Sequence, residues 1–248
     1  MHRTDLKYAI IIPARYKSSR YPGKPLIDLA GKSMIRRVWE QSVKAVGIER
    51  VFIATDDAKI QDHCMGFTSN VIMTSEDCMT GTDRVAEVAE LLDLDYAINV
   101  QGDEPIIDPK DILLVKEAYE NSKFSLVNAM APIENEQEHR SLTIPKVVVD
   151  LFDKLLYMSR AAIPGSKQGQ FNWGWKQVCI YAFSRTALQS FTERTQKTPL
   201  EQEEDIEILR FLELGFDVAM VKVDSGSVAI DTPEDRERVM GIINARSI

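Results

Sequence analysis

Short apolar runs alternate with helical patterns through the first hundred residues, and this alternation constrains the fold more than any other feature of the sequence. Four runs have the length and composition of buried strands: Tyr8–Ile12, Val51–Ala54, Val71–Met73 and Tyr96–Val100. Apolar residues at helical spacing lie between them, in Met34–Val46, Asp57–Met65 and Val85–Leu92. Strands separated by helices favour a mostly parallel sheet. The first half therefore predicts an α/β fold that binds its ligand beyond the carboxyl ends of the strands.

The second half lacks this regularity. Four strand-like runs follow one another without helices between them: Ser125–Pro132, Lys146–Asp150, Leu155–Met158 and Val178–Phe183. They favour an antiparallel extension of the sheet, and the glycine-rich stretch Gly165–Lys176 is expected to be a mobile loop. Two helices are predicted, over Glu201–Glu213 and Thr232–Ile243. We expect one domain over residues 1–248, with an inserted lobe at about residues 125–200.

Composition excludes several classes of protein. The 248 residues carry a formal net charge of -8, which argues against a general nucleic-acid binder because such a protein needs a basic face. Three widely spaced cysteines are typical of idle thiols in a reducing compartment. No apolar run approaches the length of a membrane span, and the N-terminal residues lack the apolar middle of a signal peptide. We expect a cytoplasmic protein with no nucleic-acid or membrane partner.

A cationic loop follows the first predicted strand, in the segment IIPARYKSSRYPGKP. After Pro13 it combines cations, two serine hydroxyls, a glycine and two further prolines, which is the composition that a polyphosphate site needs. It is neither a P-loop nor a GxGxxG fingerprint. A solvated surface loop with accidental charge is the alternative.

Three further motifs carry candidate ligands. INVQGDEPIIDP ends a buried-type strand in carboxylates, and Asp103 there suits Mg²⁺ on a phosphate substrate, or else belongs to an acidic turn that caps a helix. AIDTPEDRERV places Asp231 before a helix, either as its cap or as a second metal ligand. TGTDRVAEV opens a helix whose N–H groups could contact a ligand, with Thr80 or Thr82 as a plain cap in the alternative.

Taken together, IIPARYKSSRYPGKPL, IATDD, GTDR, NVQGDEP and DTPED resemble the 3-deoxy-manno-octulosonate cytidylyltransferases. The resemblance runs from Ile10 to about Val239, with the motifs in the family's order and spacing. It implies a Rossmann-like nucleotidyltransferase sheet with an inserted antiparallel lobe and a homodimer. It also implies that CTP and a 3-deoxy-2-ulosonic acid react, with Mg²⁺ as cofactor, to give a CMP-sugar and pyrophosphate for lipopolysaccharide synthesis.

The resemblance also implies roles for single residues. Lys24, Arg15, Asp103 and Asp231 are the expected catalytic residues, and the two aspartates are the expected Mg²⁺ ligands. The expected nucleotide contacts are Ala14, Arg15, Ser18, Lys24, Thr80, Gly81, Arg84 and Gln101. The expected sugar contacts are Gln101, Arg160, Gln177, Tyr181 and Glu201. Arg160 is expected to pair with the carboxylate of the sugar.

Two departures from the family's pattern fall on the sugar side. The chain has Lys176 and Gln177 where the family has Arg-His, and Ile208 follows Glu207 where the family has Gln. Such changes alter hydrogen bonds to particular substituents. The expected sugar is therefore Kdo or its 8-amino-3,8-dideoxy analogue. Another acidic sugar such as a nonulosonic acid is one alternative, and a non-catalytic nucleotide-binding protein is another.

Overall fold

Eleven strands and nine α-helices lie within residues 6–17, 21–224, 227–230 and 232–246, the residues that the computed structural model describes. The strands are β1 (Tyr8–Ala14), β2 (Asp28–Leu29), β3 (Lys32–Ser33), β4 (Val51–Thr55), β5 (Val71–Met73), β6 (Tyr96–Val100), β7 (Leu126–Pro132), β8 (Lys146–Val149), β9 (Leu155–Ser159), β10 (Trp175–Ser184) and β11 (Val218–Lys222). The helices are α1 (Met34–Val46), α2 (Ala58–Met65), α3 (Gly81–Leu91), α4 (Pro109–Asn121), α5 (Glu136–Arg140), α6 (Arg185–Thr192), α7 (Pro199–Glu204), α8 (Ile208–Glu213) and α9 (Pro233–Arg246).

The main sheet has the strand order β11-β7-β10-β6-β1-β4-β5. Strand β1 is parallel to both β4 and β6, β4 is parallel to β5, and β7 is parallel to β11. Strand β10 runs antiparallel between β6 and β7, and the hairpin of β8 and β9 continues antiparallel from it. The predicted mostly parallel α/β sheet with an antiparallel extension is confirmed. The bounds of the inserted lobe stay a prediction, since β7 and β10 are inner strands of the sheet.

Helices cover both faces of this sheet, so its strands are apolar on both sides, as buried parallel strands are. On one face α3, α6 and α8 enclose a core that includes Ile11, Val85 and Phe211. On the other face α1 and α4 enclose a core that includes Ile10 and Ile112. A smaller cluster joins α9 to the segment around Leu29 and Ile106. The helix α9 therefore closes one side of the carboxyl-end rim.

The predicted helix Glu201–Glu213 is wrong as a single element. It is divided into α7 and α8 at Asp205, whose φ of 51° is left-handed. Two tertiary contacts hold this residue, because Arg160 donates to its carbonyl oxygen at 3.0 Å and Lys197 pairs with its carboxylate at 2.6 Å. Neither contact is visible in the local sequence pattern.

The turn between β8 and β9 lies against the outer side of β11. The amide of Met220 donates to the carbonyl oxygen of Asp153 at 2.7 Å, and Lys154 forms an isolated bridge with Ala219. The side chains of Lys222 and Asp153 add an ion pair at 2.8 Å. Within the described ranges, no helix combines the length and the apolar character that a membrane crossing requires.

Candidate active site

The loops after β1 and β6 touch at the carboxyl-end rim of the sheet. A Cβ atom on Gly102 would lie 3.0 Å from the carbonyl oxygen of Pro13, so only glycine allows the two backbones to come this close. The side chain of Gln101 lies over Gly81 at the start of α3, where a Cβ would be 3.1 Å from its Nε2. Three predicted motifs are therefore neighbours, as the parallel order of β1 and β6 requires.

The cationic loop is closed by its own backbone. The amide of Gly23 donates to the carbonyl oxygen of Tyr16 at 3.0 Å, and Gly23 has the left-handed φ of 70° that favours glycine. Ala14 is buried at the end of β1, and Arg15 is exposed directly beyond it. Ser18, an expected nucleotide contact, lies outside the described residues. The loop returns to the rim in a 3-10 turn that begins at Lys24.

Lys24 and Asp103 meet across this rim. The distance from Lys24 Nζ to Asp103 Oδ2 is 3.0 Å, and the side chains are only 15% and 27% exposed. The other carboxylate oxygen, Oδ1, is shielded from solvent, and no hydrogen-bond partner for it is present in the described ranges. A cation from the first loop and a carboxylate from the second are thus brought together, with one carboxylate oxygen uncommitted.

This carboxylate fits Mg²⁺. A buried polar oxygen without a partner is costly, and Mg²⁺ typically takes one or two carboxylates together with substrate phosphates and water. No group of three His, Cys, Asp or Glu side chains with metal-site geometry occurs in the described part of the chain. The second expected ligand, Asp231, lies outside that part. Its predecessor Ile230 donates from its amide to the carbonyl oxygen of Asp103 at 2.9 Å.

The start of α3 is held from two directions. Thr80 caps the helix in a reciprocal box with Asp83, as the plain-cap alternative predicts. The amides of Gly81 and Thr82 donate to the carboxylate of Glu207 at 3.3 and 2.9 Å. Burial raises the pKa of Glu207, and these hydrogen bonds oppose the rise. The expected nucleotide contacts at Thr80 and Gly81 stay predictions.

Arg84 lies one turn into α3 and is almost fully buried. Its Nη2 pairs with Asp56 Oδ2 at 3.0 Å, and Nη1 donates to the hydroxyl of Thr74. It ties α3 to the loop after β4 and to the residue that follows β5. The geometry gives Arg84 a structural role, and its expected contact with the nucleotide stays a prediction.

Strand β10 brings two of the expected sugar contacts beside the loop that carries Asp103. Ile180 is the register partner of Val100, so the residues before Ile180 run alongside the loop that starts at Gln101. Tyr181 is buried there, and burial raises the pKa of its hydroxyl. Gln177 donates from Nε2 to Asn128 Oδ1 at 3.2 Å.

Two other expected sugar contacts, Arg160 and Glu201, have polar atoms that already bond to other parts of the protein. Arg160 donates from Nε to Glu204 O at 2.6 Å and from Nη1 to Leu142 O at 3.0 Å, besides its bond to Asp205. Glu201 is fully buried, and both of its carboxylate oxygens accept from Arg210, at 2.6 and 2.7 Å. Their sugar roles stay predictions, and for Arg160 a bidentate pair with a sugar carboxylate requires these bonds to open.

Three residues of the site carry no role in the sequence-based prediction. Glu104 accepts from the amide of Cys179 at 2.9 Å, and Glu207 accepts from the start of α3. The position of Glu104 directly after Asp103 is a signal that sequence reasoning could have used. Cys179 lies between Gln177 and Tyr181 on β10 and packs against the same core as Tyr181.

Three features lie on one rim of this α/β sheet: the ammonium group of Lys24, the carboxylate of Asp103 with its uncommitted oxygen, and the start of α3 at Gly81. This combination is typical of the α/β transferases that act on nucleotide phosphates. A family model described as cytidylyltransferase matches residues 9–221.

Curated relatives extend over nearly the whole chain. A 3-deoxy-manno-octulosonate cytidylyltransferase of Protochlamydia amoebophila is 38% identical and covers 92% of this chain and 91% of its own. The Escherichia coli protein of the same name is 35% identical, with 96% of each chain covered. A solved structure of CMP:2-keto-3-deoxy-manno-octonic acid synthetase complexed with CTP is 35% identical, with a TM-score of 0.87 over 97% of this chain and 99% of its own. The chain belongs to the 3-deoxy-manno-octulosonate cytidylyltransferase family, as its motifs predict.

Proposed function

We propose that this protein transfers CMP from CTP to a 3-deoxy-oct-2-ulosonic acid, either Kdo or its 8-amino analogue, and releases pyrophosphate. The observation that carries the proposal is the pair of Lys24 and Asp103 at 3.0 Å on the carboxyl-end rim. The names of its relatives and the CTP complex of a similar structure support the choice of substrates.

In this reaction the oxygen of the anomeric hydroxyl bonds to the α-phosphorus, and the bond from that phosphorus to the pyrophosphate oxygen breaks. Lys24 and Arg15 offset the negative charge that develops on the phosphates. Gly102 lets the loop lie against Pro13 of β1, and the side chain of Gln101 lies over Gly81, so Asp103 stays aimed at the reacting groups.

Asp103 would hold Mg²⁺ through its uncommitted oxygen, with Asp231 as the second expected ligand. When bound, the ion supplies positive charge at the phosphates and lowers the pKa of the attacking hydroxyl. The proton of that hydroxyl is released to solvent.

The test is pyrophosphate release from CTP and Mg²⁺ with a panel of sugar acids: Kdo, its 8-amino analogue and a nonulosonic acid. We expect turnover with one of the two octulosonic acids. Turnover of the nonulosonic acid alone would replace the proposed substrate. If the protein binds CTP but releases no pyrophosphate with any of these acids, the non-catalytic alternative is favoured.

Two matched variants test the role of Asp103. Asp103→Asn keeps the shape of the side chain and removes its charge, so we expect kcat to fall by about 100-fold or more. Asp108→Asn is the control, because Asp108 caps α4 through the amide of Lys110 and asparagine is an equally good cap. Equal activity of the two variants would remove Asp103 from the mechanism.

We further propose that the enzyme acts in the cytoplasm as a homodimer. Large apolar side chains at the tip of the β8–β9 hairpin support the dimer, since Leu151 and Phe152 are 98% and 89% exposed.

A further inference from the structure

Glu104 is a buried carboxylate that directly follows Asp103, and it takes no part in the chemistry of the proposed reaction. Only 5% of the residue is exposed. Removing a carboxylate from water is costly unless polar groups of the protein replace the water. The partners of Glu104 therefore indicate what this buried group does for the site.

The first partner of Glu104 is strand β10. The amide of Cys179 donates to Glu104 Oε1 at 2.9 Å. Two residues before Asp103, the amide of Gln101 donates to the carbonyl oxygen of the same Cys179 at 3.1 Å. The loop is thus bonded to one residue of β10 on each side of Asp103, so this strand fixes where Asp103 lies along the rim.

The second partner of Glu104 is the short segment that leads to Asp231. The side chain of Ser227 contacts the carboxyl group of Glu104. At the other end of this segment, the amide of Ile230 donates to the carbonyl oxygen of Asp103 at 2.9 Å. Two successive residues of the loop therefore hold the segment from which the second expected metal ligand follows.

A carboxylate suits this position because its two oxygens accept from donors that come from different directions. An apolar side chain of similar size would leave the amide of Cys179 buried without an acceptor, which is costly. The apolar packing of Ile106 against Ile230 would remain in that case. Apolar contact alone brings the two segments together, whereas the hydrogen bonds of Glu104 add a fixed spacing and direction.

We propose that Glu104 is a positioning residue, which holds Asp103 and the segment leading to Asp231 at the spacing that a divalent cation needs. The proposal rests on the proposed function, in which these two aspartates are the expected ligands. Glu104 acts through its contacts with Cys179 and Ser227, so the uncommitted oxygen of Asp103 stays available to the ion. Groups that hold metal ligands from behind typically contribute about 10- to 100-fold to metal affinity.

The test has two readouts. One is the dissociation constant of Mn²⁺, which replaces Mg²⁺ as a probe and is titrated into the protein by electron paramagnetic resonance. The other is the Mg²⁺ concentration that gives half-maximal pyrophosphate release. Glu104→Met removes both contacts at similar volume, whereas Glu104→Gln keeps an acceptor for the amide of Cys179 and a polar group for Ser227.

We expect Glu104→Met to raise both metal constants by about tenfold and Glu104→Gln to raise them by less than about threefold. The KM for CTP at saturating Mg²⁺ should change by less than about threefold in either variant. Ser227→Ala removes one of the two contacts and should raise both metal constants by about threefold. It provides the test if Glu104→Met does not fold.

Glu120→Met is the matched control, because Glu120 is another shielded carboxylate on the same sheet. Its side chain is 6% exposed and accepts from the hydroxyl of Tyr96 at 2.8 Å. Tyr96 begins β6, so this contact lies at the end of the strand opposite Asp103. We expect Glu120→Met to lower the midpoint of thermal unfolding and to leave both metal constants unchanged.

Three results would overturn the proposal. The first is a wild-type Mn²⁺ dissociation constant in folded Glu104→Met or in Ser227→Ala, because a change in kcat or stability alone then indicates a purely structural role. The second is an equal loss of metal affinity in Glu104→Gln and Glu104→Met, because the negative charge and not the contacts is then responsible. The third is a wild type that binds no Mn²⁺.

Failure of the proposed function is a separate result. The wild type then binds Mn²⁺ but releases no pyrophosphate with any sugar acid, and the Mn²⁺ titrations of the variants still test the role of Glu104.

Discussion

At Gly102 the two loops of the site lie in backbone contact, because a Cβ there would be 3.0 Å from the carbonyl oxygen of Pro13. We expect Gly102→Ala to move the loop of Asp103, because a Cβ at 3.0 Å from a backbone atom cannot be accommodated without a shift. The expected loss of stability is about 1–3 kcal/mol, with a fall in kcat for pyrophosphate release.

Gly165→Ala is the control for this change, because nothing lies within 4 Å of a Cβ at that position. Kinetics and thermal unfolding of both variants measure the effect. If Gly102→Ala keeps the wild-type kcat and the wild-type midpoint of thermal unfolding, the backbone adjusts to the added methyl group without affecting the site, and the prediction is wrong.

Lys146 is a fully buried lysine whose ammonium group binds three backbone carbonyl oxygens. Its Nζ donates to the carbonyl oxygens of Ser141, Ile144 and Arg160 at 2.6, 2.7 and 2.5 Å. Lys146→Met keeps most of the side-chain volume and leaves these oxygens without a donor. We expect the free energy of unfolding to fall by at least about 2 kcal/mol, because each unsatisfied buried carbonyl is costly.

Chemical denaturation measures this difference. Lys154→Met, at a half-exposed lysine that pairs with Asp217 at 3.3 Å, should cost less than about 1 kcal/mol. If both variants lose a similar free energy of unfolding, water has replaced Lys146 as the donor to the three carbonyl oxygens, and the prediction is wrong.

At the scale of elements, α7 and α8 hold the start of α3 by two routes. Glu207 accepts directly from the amides of Gly81 and Thr82. Arg210, paired with Glu201, lies 3.9 Å from Asp83, which caps the same helix with Thr80. The segment that follows the inserted strands therefore positions the helix at which the nucleotide is expected.

The raised pKa of Glu207 predicts a pH dependence of this connection. Burial raises the pKa above the ordinary 4.5, so the folded protein resists losing the proton that the unfolded chain loses freely. The stability that Glu207 contributes is present in full below about pH 4.5 and falls as pH rises through the folded-state pKa. Relative to Glu207→Gln, the wild type should therefore lose free energy of unfolding as the pH rises above about 4.5.

Urea unfolding at a series of pH values measures the difference between the two proteins. Glu203→Gln, at an exposed carboxylate on α7, is the matched control. A difference between the wild type and Glu207→Gln that does not change with pH would contradict the prediction.

The sequence predicts elements well where the pattern is local and fails where distant contacts decide. The strands that end at Ala14 and Val100 are apolar runs followed by polar residues, so both their positions and their shared rim are predictable. The break at Asp205 is not, because it depends on Arg160 and Lys197. The burial of Glu201 is equally hidden, since a glutamate becomes a core residue only when an arginine such as Arg210 reaches it.

At the scale of the whole molecule, the hairpin of β8 and β9 exposes apolar side chains that a monomer would leave in water. We expect Phe152→Glu to convert the proposed homodimer into a monomer, because it places a charge in the buried part of the interface. Sedimentation equilibrium or light scattering measures the mass in solution.

Leu91→Glu is the control, since Leu91 is also exposed but lies at the end of α3. A wild type that sediments as a monomer, or a Phe152→Glu variant that stays a dimer, would contradict this assignment of the interface.

The turn between β8 and β9 has a further effect on the sheet. An edge strand presents a row of unpaired N–H and C=O groups to which another chain can add, and this is a common start of fibre formation. Because Asp153 and Lys154 contact Met220 and Ala219 of β11, that row is partly occupied within the same molecule. Substitutions that disrupt these contacts therefore carry a risk of aggregation.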